Sequence, residues 1–159
     1  MELSRYELIF DEALSRFTFT SVGLKGEIKK AIVFYEAGPN GYYNLSFGDV
    51  NEETGELNDT IVTNNGDSNR VLATVIAAVY EYSEKYPFRW LYAIGRTNSR
   101  TRLYQMGISK YLDQARNDFE VFGFINGQWQ LFEKGINYES FLARRKTHKY
   151  GKDKRFKEN

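Results

Sequence analysis

The sequence contains no cysteine, a single histidine, His148, and only two prolines. Without cysteine the chain cannot form disulfides, thiolate zinc sites or cysteine nucleophiles. The single histidine lies in a charged tail, which argues against both a histidine-based triad and a multi-histidine metal centre. A long apolar run is also missing, since no stretch approaches the roughly 20 residues that a membrane helix needs. The first ten residues include Glu2 and Glu7 and do not read as a secretory signal. We therefore expect a cytoplasmic protein without a membrane anchor.

The 159 residues carry a formal net charge of only +1, but the charge is unevenly distributed. Residues 1–84 contain 6 basic and 14 acidic side chains, whereas residues 85–116 contain 7 basic and 1 acidic. Residues 144–159 add 8 basic and 2 acidic side chains. Two basic blocks of this kind indicate either an anionic partner or internal pairing with the acidic half.

The N-terminal half has the alternation and turn residues of antiparallel strands. We predict strands over residues 17–21, 28–35 and 42–47, the last two joined by the turn-forming residues 38–41. A short fourth strand is predicted over residues 60–63. This half therefore reads as a series of hairpins.

The C-terminal half alternates helices and strands. A period of 3.6 residues predicts a helix between Ser68 and Pro87, and a second apolar stripe from Leu103 to Ala115 predicts another. The apolar segment 88–94 between them is typical of a central strand.

The last part of the folded chain is predicted to be a hairpin followed by a helix. Strands over residues 119–125 and 128–132 flank an Asn-Gly turn, and a short helix is expected over residues 138–142. The predicted order is ββββαβαββα, an α+β fold with a largely antiparallel sheet and two main helices. We expect residues 1–143 to form one domain and residues 144–159 to form a disordered basic tail.

The predicted turn over residues 95–102, between a buried strand and a helix, is rich in arginine. A helix N-terminus is already partly positive, so arginines there need a negative partner. A phosphate or carboxylate would supply one, and the predicted anion-binding residues are Arg96, Thr97, Ser99, Arg100 and Arg102. The alternative is internal pairing with Asp49, Asp59 and Asp67, which would make the arginines structural.

Sequence motifs of enzymes and metal sites are weak. The same three aspartates would offer oxygen ligands to Mg²⁺ or Ca²⁺ if their loops converged, but their spacing fits no known loop, and we predict neither metal nor cofactor. The chain has no phosphate-binding Gly-Lys-Ser/Thr loop and no Gly-x-Ser-x-Gly elbow. Carboxylates, lysine or tyrosine could still perform acid–base chemistry. A non-enzymatic protein is favoured, and an enzyme stays an alternative.

Aromatic residues make up 16% of the chain. Rings on strands can stack unpaired bases, and the candidates are Tyr42, Tyr43, Trp90 and Tyr92. The plainer alternative is that these rings fill the core and the sheet faces. In the basic tail, the predicted phosphate contacts are Lys149, Lys152, Lys154 and Arg155.

Five segments together carry a resemblance to a known family: residues 19–28, 43–49, 64–75, 100–104 and 141–146. With them the chain resembles a family of small, uncharacterised bacterial proteins found mainly in Bacteroidetes, a domain of unknown function. The resemblance implies a shared fold over roughly residues 16–146 and supplies no activity.

These observations favour a binding module for an anionic partner, with nucleic acid, preferably single-stranded, as the first candidate. The ββββα start is also found in single-strand-binding folds of the transcriptional-regulator type, which is an analogy of fold. One alternative is an enzyme or sensor that holds a small phosphorylated or carboxylated metabolite at residues 95–102. Another is a protein-interaction component, such as a partner in a defence or toxin system, that uses a hydrophobic sheet face. The sequence leaves the oligomeric state open.

Overall fold

The structure is a computed structural model that describes residues 4–38, 41–58 and 63–146. In this part of the chain one sheet packs against three helices. The elements in chain order are β1 (Ile9–Phe10), β2 (Arg16–Gly23), β3 (Gly26–Glu36), β4 (Tyr42–Val50), β5 (Leu57–Asn58), α1 (Ser68–Lys85), β6 (Trp90–Ala93), α2 (Asn98–Lys110), α3 (Leu112–Asp118), β7 (Phe119–Ile125), β8 (Gln128–Leu131) and β9 (Ser140–Arg145).

The described strands form one open sheet in the order β1-β2-β3-β4-β6-β9-β7-β8, and β5 pairs with the far end of β4. Only β4 and β6 run parallel, from Tyr42 opposite Trp90 to Asn44 opposite Tyr92. The chain between them contains α1, the crossover that a parallel pair requires. The last strand, β9, lies between β6 and β7. The predicted α+β class with a mostly antiparallel sheet is confirmed.

The main core lies between one face of the sheet and the helices. Alternate residues of each strand point to this covered face, as the pleat requires. On α1, the Tyr82 ring stacks on Phe34 of β3 with centroids 4.0 Å apart, and Tyr80 meets the Phe119 ring of β7 edge-on at 5.1 Å. The helix α1 therefore spans the sheet from its N-terminal hairpins to its C-terminal strands.

The predicted helix over residues 138–142 is wrong, because this segment enters the central strand β9. Its apolar run packs on both sides of the sheet, and a short apolar run fits a buried strand as well as a helix. Before the strand, the backbone N–H of Tyr138 donates to the Gln105 side chain at 3.1 Å. The Tyr138 ring lies against Gly123, where a Cβ would come within 2.3 Å of it.

Three further boundaries differ from the prediction. The single helix expected to reach Ala115 is two helices, since α2 ends at Lys110 and α3 begins at Leu112. A strand was expected over residues 60–63, of which residues 60–62 lie outside the described residues, while β5 precedes them. The boundary expected after residue 143 falls inside a strand, because Arg144 and Arg145 belong to β9.

Arg145 shows why the strand extends this far. Its side chain is buried against the C-terminal part of α1, where Nε donates to Ser83 Oγ at 2.8 Å and Nη2 donates to the Tyr80 carbonyl at 3.1 Å. A cation at a helix C-terminus also meets the negative end of the helix dipole. Residues 147–159, where the basic tail was predicted, lie outside the described residues.

Candidate functional site

Arg100, the centre of the predicted anion site, is part of the core. Its side chain is 2% exposed and donates through Nη1 to the carbonyl of Phe47. Beyond Asn44, β4 no longer pairs with β6, so this carbonyl faces Arg100 instead of a neighbouring strand. The guanidinium also lies 5.9 Å from the Phe47 ring. The side chain is thus held by the fold although Arg100 also lines the cleft described next, and its predicted contact with an external anion stays a prediction.

The other residues of the predicted anion site lie at the surface. Thr97 caps α2, since its hydroxyl accepts the backbone N–H of Arg100 at 3.1 Å. Thr97, Ser99 and Arg102 line a cleft between the N-terminal ends of α1 and α2, and Arg96 is exposed nearby in the chain. Anion binding at these four residues stays a prediction.

The charged side chains in and beside this cleft, other than the arginines, already have partners within the chain. The ammonium of Lys30, which is fully buried, lies 2.5 Å from Asp49 and 3.1 Å from the carbonyl of Thr63. On the other side, Asp67 accepts hydrogen bonds from the hydroxyls of Tyr6 and Ser21, both at 2.6 Å. In the described residues, these two aspartates therefore pair with a lysine and with hydroxyls, and not with the arginines of α2. Asp59, the third candidate partner, lies outside the described residues.

The other face of the sheet carries an aromatic surface. Its side chains alternate with those of the core, and the three described helices lie on the opposite side. We call the following outward-pointing residues of β4, β6, β7, β8 and β9 the open face: Tyr42, Asn44, Trp90, Tyr92, Phe122, Phe124, Trp129, Leu131, Leu142 and Arg144. Most of them are partly exposed, and Leu131 reaches 65%.

On the adjoining strands β2 and β3, the loop that follows β4 covers part of the same side of the sheet. Arg16, which points outward because its neighbour Phe17 points into the core, donates to the Gly55 carbonyl of that loop at 2.9 Å. Ala31, on the outer side of β3, is fully buried. Elsewhere on this side of the two strands, Val22 and Tyr35 are 54% and 47% exposed, and the Tyr35 hydroxyl accepts from the Asn44 side chain at 3.0 Å.

The rings of the open face form two contacting groups. In the first, Trp90 and Phe122 have centroids 6.0 Å apart at an interplanar angle of 56°. In the second, Trp129 touches Phe124 at 5.1 Å and Tyr92 at 6.2 Å, both in inclined arrangements. Because tilted rings leave part of each π-face exposed, they can accept a further flat group by stacking.

Arg144, near the C-terminal end of β9, supplies a positive charge on the open face. Its guanidinium carbon lies 4.3 Å from the centre of the Trp90 ring, a close cation–π contact. Its one acidic neighbour among the described residues, Glu120, is 3.9 Å away, and Arg144 Nε has no hydrogen-bond partner there. Arg144 therefore packs against an aromatic ring with its Nε buried, and about 30% of its side chain is exposed.

Of the four predicted stacking residues, the structure brings three together and separates one. Tyr42, Trp90 and Tyr92 share the open face, but Tyr43 points to the covered face. There its ring lies 4.1 Å from the Arg89 guanidinium. Tyr43 is separated because adjacent residues of a strand point to opposite faces, and its predicted base-stacking role stays a prediction.

The same Arg89 connects the rings of the covered face. It lies 3.7 Å from the ring centre of Tyr86 and donates to the hydroxyl of Tyr82 at 2.9 Å. Burial raises the pKa of Tyr82, and the hydrogen bond from Arg89 opposes that increase. These contacts are internal and give Tyr43 a structural role.

Sequence reasoning missed four residues of this surface: Phe122, Phe124, Trp129 and Arg144. The signal was present in the β7–β8 hairpin, where aromatic residues alternate across the Asn-Gly turn, with Phe124 opposite Trp129. Their common face could not be recognised without knowing which side of the sheet the helices cover. The predicted tail contacts Lys149, Lys152, Lys154 and Arg155 lie outside the described residues and stay a prediction.

The family comparison agrees with the resemblance found in the sequence. A model described as a family of unknown function, DUF6934, matches residues 2–146. The chain belongs to the DUF6934 family. The match includes β9 with Arg144, so the open face lies within the part shared with the family.

Comparisons beyond the family add no relative to this DUF6934 protein. No curated protein and no solved structure matches it. In the described part of the chain, no helix is long and apolar enough to cross a membrane.

Proposed function

We propose that this DUF6934 protein is a cytoplasmic, non-enzymatic module that binds single-stranded nucleic acid on its open face. The observation that carries the proposal is an uncovered sheet face with partly exposed rings, among them Trp90, Tyr92 and Trp129. An arginine of the same face, Arg144, packs against the Trp90 ring. Bases of a single strand are free to stack on aromatic side chains, whereas a duplex keeps its bases paired inside.

The dimensions of the open face suit a short stretch of single strand. The face spans five adjacent strands, β4, β6, β9, β7 and β8. Neighbouring strands lie about 4.8 Å apart, so the face is roughly 19 Å across. We expect it to hold about four nucleotides, at the low end of the range for single-strand-binding barrels.

Phosphate contacts would come from Arg144 and from the chain that follows β9. Arg144 already stands beside Trp90, where a stacked base would place its phosphate within reach. The described chain ends at Lys146, whose backbone N–H donates to the Asp118 carbonyl at 2.9 Å, and the predicted tail contacts follow directly. Because these contacts release counterions, binding should weaken as salt increases.

The test is a titration of short labelled single-stranded DNA, single-stranded RNA and duplex with the full chain at two salt concentrations. We expect single strands to bind more tightly than duplex. Trp129→Ala should weaken that binding by roughly 5- to 150-fold, the equivalent of about 1–3 kcal/mol per stacked base. The matched control is Phe10→Ala, which removes an exposed ring from β1 at the opposite edge of the sheet. Equal affinity for duplex, or equal losses in both variants, would contradict the proposal.

The same exposed face suggests one other candidate, a protein interface. Leu131 is 65% exposed and Trp129 37%, and contiguous apolar surface of this kind is typical of interaction sites. Sedimentation velocity at the concentrations of the titration separates the two functions. A stable dimer that Trp129→Ala dissociates, with no binding of oligonucleotides, would favour the interface.

A further inference from the structure

A second feature lies on the covered side of the sheet, independent of the open face. Between the sheet and the helices α1 and α2 there is a cavity of about 120 Å³. Leu91 and Val121 form part of its floor, and Leu72, Val75 and Leu103 form part of its roof. The cavity is partly open to the surface, and since protein interiors are closely packed, apolar space of this size in a small domain needs an explanation.

Small residues at facing positions account for the cavity. Ala93 and Ala143 lie on the adjacent strands β6 and β9 and point toward the helices, and Gly107 lies on the inner side of α2. A Cβ at Gly107 would lie 3.1 Å from Leu72 Cδ2, so α2 approaches α1 closely there. Larger apolar residues at the two alanines would fill the space.

The walls determine what the cavity can hold. None of the described residues that line it carries a charge, and the polar groups among their side chains are tyrosine hydroxyls. One of these, Tyr80, already donates to Asp118 at 2.8 Å. An apolar cavity of this kind stays dry and takes up apolar molecules, as an engineered cavity of about 150 Å³ does with benzene.

We propose that this cavity is a binding site for a small uncharged apolar molecule, an aromatic ring or a short alkyl chain of roughly six carbon atoms. Entry does not require the sheet to open. Ile76 and Val79 on α1, and Ile108 and Tyr111 near the end of α2, line the cavity and are only half-buried. The ligand would enter between these two helices and supply the van der Waals contacts that the cavity walls lack.

The test uses the full chain and benzene as the probe, with methyl NMR spectra and thermal unfolding as readouts. Benzene should shift the methyl resonances of Leu72, Leu91 and Val121. It should raise the melting temperature by about 2–5 °C at about ten times its dissociation constant. Ala93→Leu should abolish both effects because the new side chain occupies the cavity.

Two further variants make the result decisive. Gly107→Ala adds one methyl group at the Leu72 wall, and should weaken benzene binding even if Ala93→Leu does not fold. Ala77→Leu is the control, since Ala77 lies on α1 outside the cavity lining and should leave binding unchanged. Absence of methyl shifts at saturating benzene would overturn the proposal. So would benzene binding as tight as that of the wild type in both single variants, Gly107→Ala and Ala93→Leu, when both are folded.

Discussion

Arg144 and Arg145 are neighbours in β9, yet their side chains lie on opposite faces of the sheet and in different surroundings. Arg145 is buried and donates to Ser83 and to the Tyr80 carbonyl of α1. Arg144 packs against the Trp90 ring, with its acidic neighbour Glu120 3.9 Å away. The covered face therefore uses its cations to hold the fold together, and the open face leaves one available. The number of arginines in a segment does not show how each is used by the fold, whereas the face of the sheet on which each lies does.

The largest effect that sharpens this comparison is expected from Arg100→Ala. It should lower the free energy of unfolding by about 3–5 kcal/mol, because the Phe47 carbonyl loses its buried donor and the space beside its ring empties. Arg102 lies two residues further along α2, on its exposed side. Arg102→Ala should change the free energy of unfolding by less than about 0.5 kcal/mol. Urea unfolding measures both. An Arg100→Ala protein of wild-type stability that no longer binds oligonucleotides would return Arg100 to the binding site.

A similar loss is expected when the buried ion pair of the covered face is broken. Lys30→Met leaves the Asp49 carboxylate without its cation, and should cost about 3–5 kcal/mol. The double variant Lys30→Met, Asp49→Asn should recover part of that loss, since the amide oxygen can still accept from Thr63. Urea unfolding of the single and double variants measures the coupling. Simple additivity of the two changes would mean that the pair does not act as a unit.

The adjacent tyrosines of β4, Tyr42 and Tyr43, test most directly whether the two faces of the sheet have different roles. Tyr42→Ala should weaken binding of a single strand by roughly 5- to 150-fold with little change in stability. Tyr43→Ala should do the reverse, since it removes a ring that packs against Arg89 on the covered face. Anisotropy titrations together with thermal unfolding measure both quantities. If Tyr43→Ala weakened the binding of the folded protein more than Tyr42→Ala did, the assignment of the two faces would be wrong.

The smallest effect is expected from Arg144→Gln. Loss of one phosphate contact should weaken binding about equally for all sequences, and should reduce the slope of log affinity against log salt by about 1. Arg5→Gln is the matched control, an exposed arginine just before β1 at the far edge of the sheet. An unchanged salt slope in Arg144→Gln would exclude Arg144 as a phosphate contact.

The sequence predicted the elements whose pattern is local. The hairpins around β3 and β4 and around β7 and β8, and the amphipathic helix α1, follow from alternation, turn residues and a 3.6-residue period. The segment entering β9 was misassigned because a short apolar run has no period that separates strand from helix.

The arrangement of the two faces depends on contacts that no local pattern contains. The parallel pairing of β4 with β6, and the insertion of β9 between β6 and β7, join segments far apart in the chain. These pairings decide that Trp90 and Phe122 become neighbours, and that Arg100 fills the place beside β4 where a strand is missing. Candidate residue types could be named from the sequence, but which of them share a surface could not.

The most direct test of the central claim is tryptophan fluorescence during a titration with an unlabelled single-stranded oligonucleotide. The chain has two tryptophans, Trp90 and Trp129, and both lie on the open face. Base stacking on that face should quench most of the tryptophan emission, with a midpoint equal to that of the anisotropy titration. Binding that leaves the emission unchanged would place the nucleic acid elsewhere on the protein, and the absence of binding would contradict the proposed function.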